Sequence, residues 1–94
     1  MAEMLPFLET LIAERKANPQ PNSYTNKLLS EGLHRTAQKV GEEAVEVVVA
    51  ALTQEREAQV GELADLFYHT LVLMAQLEIS LSDVNAELEA RHRK

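Results

Sequence analysis

The sequence predicts an all-α protein, with two long antiparallel helices and shorter helices before and after them, in a bundle that dimerisation completes. Three observations support this fold class. All three prolines lie within the first 21 residues, so that the rest of the chain can form uninterrupted helices. Apolar residues recur at spacings of three and four along most of the chain, whereas no segment fits a strand better. The length of 94 residues fits one domain, residues 1–94.

The first part of the chain predicts two shorter helices. Residues 3–17 form the first of them, and its apolar residues recur at helical spacing: Leu5, Leu8, Leu11 and Ile12. Two prolines within residues 18–22 then end the helix and favour an extended connector. A second short helix is expected over residues 25–30, ended by Gly32 in a left-handed conformation.

The first long helix is predicted over residues 33–54. Its apolar seam follows spacings of four and three: Leu33, Ala37, Val40, Ala44, Val47 and Ala51. Valines at 45, 47, 48 and 49 make the middle of this helix apolar on nearly all sides, which favours burial on more than one side. Because a chain of this size cannot easily surround such a helix, we expect a homodimer.

The second long helix is predicted over residues 55–78. Its apolar stripe consists of Val60, Leu63, Phe67, Met74 and Leu77, with Leu66, Leu71 and Leu73 beside it. Gly61 lies in its interior, where glycine costs about 1 kcal/mol, and indicates either close packing or a kink. Ser80 or Ser82 is a suitable N-cap for a last helix that carries Val84 and Leu88.

Composition excludes several classes of protein. The formal net charge is −6, and an acidic surface repels nucleic acid and disfavours a basic membrane-surface module. The absence of cysteine excludes disulfide scaffolds, thiol catalysis and cysteine-based zinc sites. The sequence contains no apolar run of about 18 residues and no basic start of a signal peptide. We therefore expect a cytoplasmic protein without a membrane or nucleic-acid partner.

Acidic residues flank the apolar surfaces of both long helices in matched pairs. Glu43 and Glu46 lie three residues apart, as do Glu62 and Asp65, so each pair occupies one side of its helix. The pairs converge if the helices are antiparallel neighbours, and four converging carboxylates need a cation to remain ionised. Oxygen ligands favour Mg²⁺ or Mn²⁺. Taken singly, each acid is more typical of solvated surface. Glu42 points farther from the seam and is a candidate water-orienting base or a solvated residue.

Basic and polar residues supply candidate substrate contacts. A bound cation would let an acidic chain bind a polyphosphate, with Lys39, Lys27 and Arg35 as candidate phosphate ligands or as ordinary surface charges. Residues 23–26 are polar and fit either a helix cap or a loop that touches substrate. His69 follows one turn after the second acidic pair, where it is either structural or part of the site.

Two runs of sequence resemble the phosphoribosyl-ATP pyrophosphatases of histidine biosynthesis: KVGEEAVE at residues 39–46 and ELADLFYH at residues 62–69. The wider pattern of acids is similar to that of the MazG-type all-α nucleoside-triphosphate pyrophosphohydrolases, which does not choose a substrate. The narrower family is indicated by SYT before KLL at residues 23–29 and by LVL at residues 71–73. The likeness extends from residue 8 to residue 91. Leu63 departs from it, since a small residue is expected there.

The resemblance implies a nucleotide-binding hydrolase that converts phosphoribosyl-ATP to phosphoribosyl-AMP and pyrophosphate, the second step of histidine biosynthesis. It implies dimers of helical bundles and Mg²⁺, with Mn²⁺ as a possible substitute. The implied metal ligands are Glu43, Glu46, Glu62 and Asp65. Glu42 would orient or deprotonate the attacking water, and Lys39 would bind phosphate. Lys27, Tyr24 and His69 are the further substrate-binding candidates.

Three other functions compete with this interpretation. A related pyrophosphohydrolase could act on another nucleotide, such as a dNTP, as a housecleaning enzyme. The chain could also be a structural helical dimerisation module. A carboxylate-bridged di-iron bundle expects Glu-x-x-His pairs, which neither acidic pair provides. No serine, cysteine or threonine with an adjacent base is evident, which favours direct attack by water in any hydrolase.

Overall fold

The computed structural model describes residues 3–93, which form five α-helices and no strand. The helices are α1 (Met4–Ala17), α2 (Tyr24–Glu31), α3 (Leu33–Thr53), α4 (Arg56–Leu77) and α5 (Leu81–His92). The all-α prediction is confirmed for these residues, while residues 1, 2 and 94 of the predicted domain lie outside them. None of the described helices is both long and apolar enough to cross a membrane.

Serine caps begin two of the helices. The Ser23 hydroxyl accepts a hydrogen bond from the backbone N–H of Asn26 at 3.2 Å, at the start of α2. At the start of α5, Ser80 accepts from the N–H of Asp83 at 3.0 Å, and the Asp83 carboxylate accepts from the N–H of Ser80 at 2.9 Å. These reciprocal bonds form a capping box, so Ser80 is the N-cap rather than Ser82.

The left-handed cap predicted at Gly32 is wrong. Gly32 has a positive φ of 93°, but its ψ of 173° is extended rather than helical. Its N–H donates to the Leu29 carbonyl at 3.3 Å and its own carbonyl accepts from the N–H of Thr36 at 3.2 Å. Gly32 therefore ends α2 and also begins α3. Only a residue without a side chain adopts this combination of φ and ψ without strain. The left-handed conformation occurs instead at Glu78, which ends α4.

The apolar core lies where α1, α2 and α4 meet. Its buried members are Ile12, Leu28, Leu71 and Val72. Leu8 packs against them, as its spacing with Ile12 predicted, whereas Leu5 is exposed. This core fixes α2 against α4 and so determines which side chains of the two helices can meet.

The contacts inside one chain do not bury the predicted apolar seam and stripe. On α3 the buried residues are Thr36, Glu43 and Ala50, and on α4 they are His69, Leu71 and Val72. Much of the predicted seam and stripe is exposed: Leu33, Ala37, Ala51, Val60, Leu63, Phe67 and Leu77. The helix-helix contact inside the chain uses a neighbouring side of each helix. Gly61 lies within α4, and apart from the backbone of its own helix no atom of the described residues lies within 4 Å of the position that a Cβ would take. The predicted close packing is therefore not found within one chain.

A broad apolar surface remains exposed on α3 and α4. Its side chains are between 41% and 79% exposed, and they are Val45, Val48, Val49, Leu52, Val60, Leu63 and Phe67. Contiguous apolar surfaces of this kind are unusual on soluble monomers. We call these seven residues the valine face.

Candidate active site

The described structure brings three of the four paired acids together. One carboxylate oxygen from each of Glu43, Glu62 and Asp65 lies within 4.8 Å of the others. Glu43 reaches the group from α3, whereas Glu62 and Asp65 come from successive turns of α4. Glu43 is buried, Glu62 is half-buried and Asp65 is exposed. The group thus extends from the protein interior to the surface, where a solute can reach it.

Glu46 lies beside this group but outside that distance. It is exposed, one turn after Glu43 on α3. Its pKa is raised above the usual value, first by a hydrogen bond with Glu43 and then by the negative charges of Glu43 and Glu62. Lys39 opposes this shift in the pKa of Glu46. Negative charge is therefore concentrated where all four predicted metal ligands lie.

The donor set fits a hard divalent cation. Every candidate ligand atom is a carboxylate oxygen, the type that Mg²⁺ and Mn²⁺ prefer. The three oxygens lie within 4.8 Å of one another, close enough for Glu43, Glu62 and Asp65 to hold one ion together.

Lys39 lies against two of the acids. Its Nζ is 3.5 Å from a Glu43 oxygen and 3.6 Å from a Glu42 oxygen. Burial lowers the pKa of Lys39, but the charges of Glu43, Tyr24 and Glu42 together outweigh it and leave the pKa raised. Lys39 is therefore an ammonium ion at neutral pH, held at the edge of the acidic group.

Glu42 is exposed and lies outside the group of three acids. It accepts a hydrogen bond from the Gln38 side chain at 2.9 Å, and this bond is the main reason that its pKa is lowered. Burial opposes the lowering, and the charges of Lys39 and Arg35 add to it. Glu42 is thus a carboxylate at neutral pH that shares Lys39 with Glu43.

Tyr24 and His69 form a hydrogen-bonded pair next to the acids. The Tyr24 hydroxyl lies 3.0 Å from His69 Nε2, and His69 Nδ1 lies 2.7 Å from the backbone carbonyl oxygen of Asp65. Because a carbonyl oxygen only accepts, Nδ1 carries a hydrogen and donates to Asp65, while Nε2 is hydrogen-bonded to the Tyr24 hydroxyl. The buried His69 therefore connects the start of α2 to the backbone of a predicted metal ligand.

Among the described residues, the remaining predicted cations form no ion pair with the acidic group. Lys27 is exposed and lines an open polar cavity of about 470 Å³ that Tyr24 also borders. Arg35 pairs with Glu31 at 3.7 Å, in agreement with its interpretation as surface charge. Lys39 is thus the predicted phosphate ligand that contacts the acidic group directly.

Sequence reasoning missed a second contact between α2 and α4. The Thr25 hydroxyl is hydrogen-bonded to the Tyr68 hydroxyl, and the rings of Tyr68 and Tyr24 stack with centroids 6.2 Å apart. Thr25 and Tyr68 both occur in the runs that resemble the family, but the two residues are 43 positions apart. Spacing along the chain carries no signal for such a pair.

Comparison with known proteins identifies the family of this chain. Residues 5–92 match the model of the phosphoribosyl-ATP pyrophosphohydrolase family. The chain belongs to this family. It is therefore a hydrolase, and the resemblance drawn from the sequence is confirmed.

Several curated relatives cover nearly the whole chain. A phosphoribosyl-ATP pyrophosphatase from Pyrobaculum islandicum is 53% identical over 91 residues, which are 97% of each chain. One from Pyrobaculum aerophilum is 56% identical over 84 residues, 89% of each chain. The histidine biosynthesis bifunctional protein HisIE of Shewanella oneidensis is 49% identical over 92 residues, 95% of this chain but 44% of that protein. The family thus includes members of this length and members in which the same region is part of a longer chain.

Proposed function

We propose that this protein hydrolyses phosphoribosyl-ATP to phosphoribosyl-AMP and pyrophosphate, the second step of histidine biosynthesis. The observation that carries the proposal is the convergence of Glu43, Glu62 and Asp65 within 4.8 Å in a member of this family. The names of the relatives support the choice of substrate.

The four paired acids are the proposed metal ligands: Glu43, Glu46, Glu62 and Asp65. Their crowded negative charge, visible in the raised pKa of Glu46, is what a divalent cation would neutralise. Mg²⁺ is the proposed ion and Mn²⁺ a substitute. When bound, the ion would neutralise charge on the phosphate oxygens as pyrophosphate leaves.

The chain's own residues would bind the phosphates and direct the water. Lys39 offers its ammonium group to a phosphate oxygen at the edge of the acidic group. Glu42 is ionised and next to Lys39, so it can accept the proton of the attacking water. The water oxygen then bonds to phosphorus, the α–β phosphoanhydride breaks, and pyrophosphate leaves without a covalent enzyme intermediate.

Tyr24 and Lys27 are the proposed contacts for the rest of the substrate. Both border the same open cavity, and both are accessible to a solute. His69 is buried, and its bonds to Tyr24 and to the Asp65 backbone support a role in holding Tyr24 in place.

We further propose a cytoplasmic homodimer of a single domain. In this arrangement α3 and α4 form an antiparallel hairpin, and two hairpins pack through the valine face into a four-helix bundle. The support is the exposure of those seven apolar side chains in one chain. Packing against a second copy removes such a surface from water.

Substitution of the predicted ligands tests the site. Glu46→Gln and Asp65→Asn retain the shape of the side chains but remove their charge. Each should lower Mg²⁺-dependent pyrophosphate release by about 100-fold or more. Glu87→Gln is the matched control, because Glu87 is an exposed helical acid that pairs with Arg91 on α5. Undiminished turnover in both site variants, with folding intact, would contradict the ligand assignment.

A further inference from the structure

We propose that Tyr68 is a positioning residue for this reaction: through Thr25 it holds the first turn of α2 on α4, so that the Tyr24 hydroxyl stays on His69. The proposal rests on the proposed function, because the position of Tyr24 matters only if Tyr24 contacts substrate. Neither Tyr68 nor Thr25 touches the acidic group.

The hydrogen bond between Thr25 and Tyr68 connects two helices. It joins side-chain hydroxyls 43 positions apart, one in the first turn of α2 and the other in the second half of α4. Thr25 is buried and Tyr68 is half-buried, so water does not readily replace either partner. Loss of one hydroxyl would leave the other without its partner, which is costlier than loss of an exposed bond.

The ring of Tyr68 also packs against both members of the Tyr24–His69 pair. Its centroid lies 6.2 Å from that of Tyr24, with the rings 28° from parallel. It lies 5.2 Å from that of His69 in an edge-to-face arrangement. Tyr24 and His69 are themselves edge-to-face at 5.8 Å. The three rings are in mutual contact, so that a shift of Tyr68 moves the other two.

Helix α2 depends on contacts of this kind. It has eight residues, and a helix of that length is not stable in isolation. Leu28 anchors its second turn in the core, and Asn26 donates from its side chain to the carbonyl of Arg15 at 2.8 Å. The bond from Thr25 to Tyr68 adds a fixed point on α4 itself, one residue from Tyr24.

The consequence is a fixed position of the Tyr24 hydroxyl. His69 Nδ1 donates to the Asp65 carbonyl, which orients the ring so that Nε2 bonds to the Tyr24 hydroxyl, and Tyr24 also borders the open cavity. An α2 released from Tyr68 would let Tyr24 leave Nε2 and turn its hydroxyl toward solvent. Substrate binding would then weaken although every candidate metal ligand is still present.

A double-mutant cycle separates positioning from general stability. Tyr68→Phe removes one hydroxyl and should lower kcat/KM for phosphoribosyl-ATP about fivefold, mainly through KM, which is the effect expected for the loss of one hydrogen bond. In the Tyr24→Phe background the same change should lower kcat/KM less than about twofold, because the hydroxyl to be positioned is already absent. Equal effects of Tyr68→Phe in both backgrounds would overturn the proposal.

Variants of Thr25 and Thr70 provide the controls. Thr25→Val should reproduce the loss seen with Tyr68→Phe, whereas Thr25→Ser retains the hydroxyl and should restore activity to within about twofold. Thr70→Val removes an α4 hydroxyl that bonds to the Leu66 carbonyl of its own helix at 2.8 Å, and should leave kcat/KM unchanged. An effect of Thr70→Val as large as that of Tyr68→Phe would indicate a merely structural role.

A readout without substrate keeps the two proposals distinguishable. The ¹⁵N chemical shift of His69 Nε2 reports whether it accepts a hydrogen bond, and Tyr68→Phe should move that shift toward the value in Tyr24→Phe. An Nε2 shift equal to that of the unsubstituted protein would overturn the positioning role. Failure of the unsubstituted protein to release pyrophosphate would instead overturn the proposed function, while the Nε2 shift would still decide whether Tyr68 holds the pair.

Discussion

Replacement of Glu43 by glutamine should stabilise the metal-free protein and abolish its response to Mg²⁺. Glu43 is the buried member of the acidic group, and its carboxylate lies within 4.8 Å of Glu62 and Asp65. Each repulsion costs at least about 3.5 kcal/mol at an effective dielectric constant of about 20. The attraction to Lys39 at 3.5 Å is worth about 4.7 kcal/mol on the same scale. On this scale the two repulsions exceed the attraction by about 2 kcal/mol, and the solvent around the exposed Asp65 screens its share, so Glu43→Gln should stabilise the metal-free protein only slightly.

The Mg²⁺ response of the unsubstituted protein should be large by comparison. An ion present at about 100 times its dissociation constant stabilises the folded state by about 2.7 kcal/mol. For a domain of this size that corresponds to a rise in Tm of about 10 to 20 °C. If glutamine weakens binding about 100-fold, the gain at the same concentration falls to about 0.4 kcal/mol.

Thermal unfolding in EDTA and in increasing Mg²⁺ measures both effects. Glu43→Gln should unfold at the same or a higher temperature than the unsubstituted protein in EDTA, and at a lower temperature in saturating Mg²⁺. Glu87→Gln, on α5, should behave as the unsubstituted protein in both conditions. A full Mg²⁺-dependent rise in Tm in Glu43→Gln would contradict the assignment of Glu43 as a metal ligand.

Two further predictions concern the dimer and the last helix. Phe67→Asp places a charge in the valine face and should convert a dimer to monomers in sedimentation experiments. Phe7→Asp changes a similarly exposed phenylalanine on α1 and should leave the dimer intact. Equal behaviour of the two variants would contradict the proposed interface. Ser80→Ala removes the α5 cap and should lower the free energy of unfolding by about 1 kcal/mol at pH 7 in urea. The backbone and side chain of Ser80 hold the pKa of Asp83 in the folded protein below its usual value of 3.8. Ionised Asp83 therefore stabilises the fold at a pH above 3.8, and this contribution is lost as the pH falls through the pKa of the folded protein. Ser80→Ala retains the backbone N–H, which is the larger cause of the lowered pKa of Asp83, and should therefore reduce this acid-side loss only in part; an unaltered pH profile would argue against a contribution of the Ser80 hydroxyl.

The positions of the helices could be predicted from the sequence because they depend on local chemistry. Prolines confined to the first 21 residues left the long helices uninterrupted, and a serine before α5 supplied its cap. The short helix expected over residues 25–30 occurs as Tyr24–Glu31. Such signals act over a few residues, so a single sequence contains them.

The buried sides of the long helices could not be predicted in the same way. Apolar spacing identifies a side that avoids water, but not whether the same chain or a second copy covers it. Thr36 and Glu43 are buried on α3, although neither is apolar, whereas Val48 and Leu52 are exposed. Several residues of the valine face follow the helical spacing although they lie outside the internal core of one chain.

The meeting of the acidic residues could be predicted from the sequence, whereas the contact between Tyr24 and His69 could not. Matched acidic pairs on two helices predicted where Glu43, Glu62 and Asp65 would meet, since each pair is local and one helix contact brings them together. The contact of Tyr24 with His69 spans 45 positions and depends on how α2 crosses α4. That crossing is set by the packing of the core, which no local pattern specifies.

Mg²⁺-dependent release of pyrophosphate from phosphoribosyl-ATP is the activity proposed for this chain. It is measured most directly by ³¹P NMR of the purified protein with phosphoribosyl-ATP and, separately, with ATP and dNTPs, each in Mg²⁺ and in EDTA. We expect a pyrophosphate resonance from phosphoribosyl-ATP in Mg²⁺ and none in EDTA or from the other nucleotides. Pyrophosphate from dNTPs but not from phosphoribosyl-ATP, or no pyrophosphate from any substrate with folded protein, would contradict it.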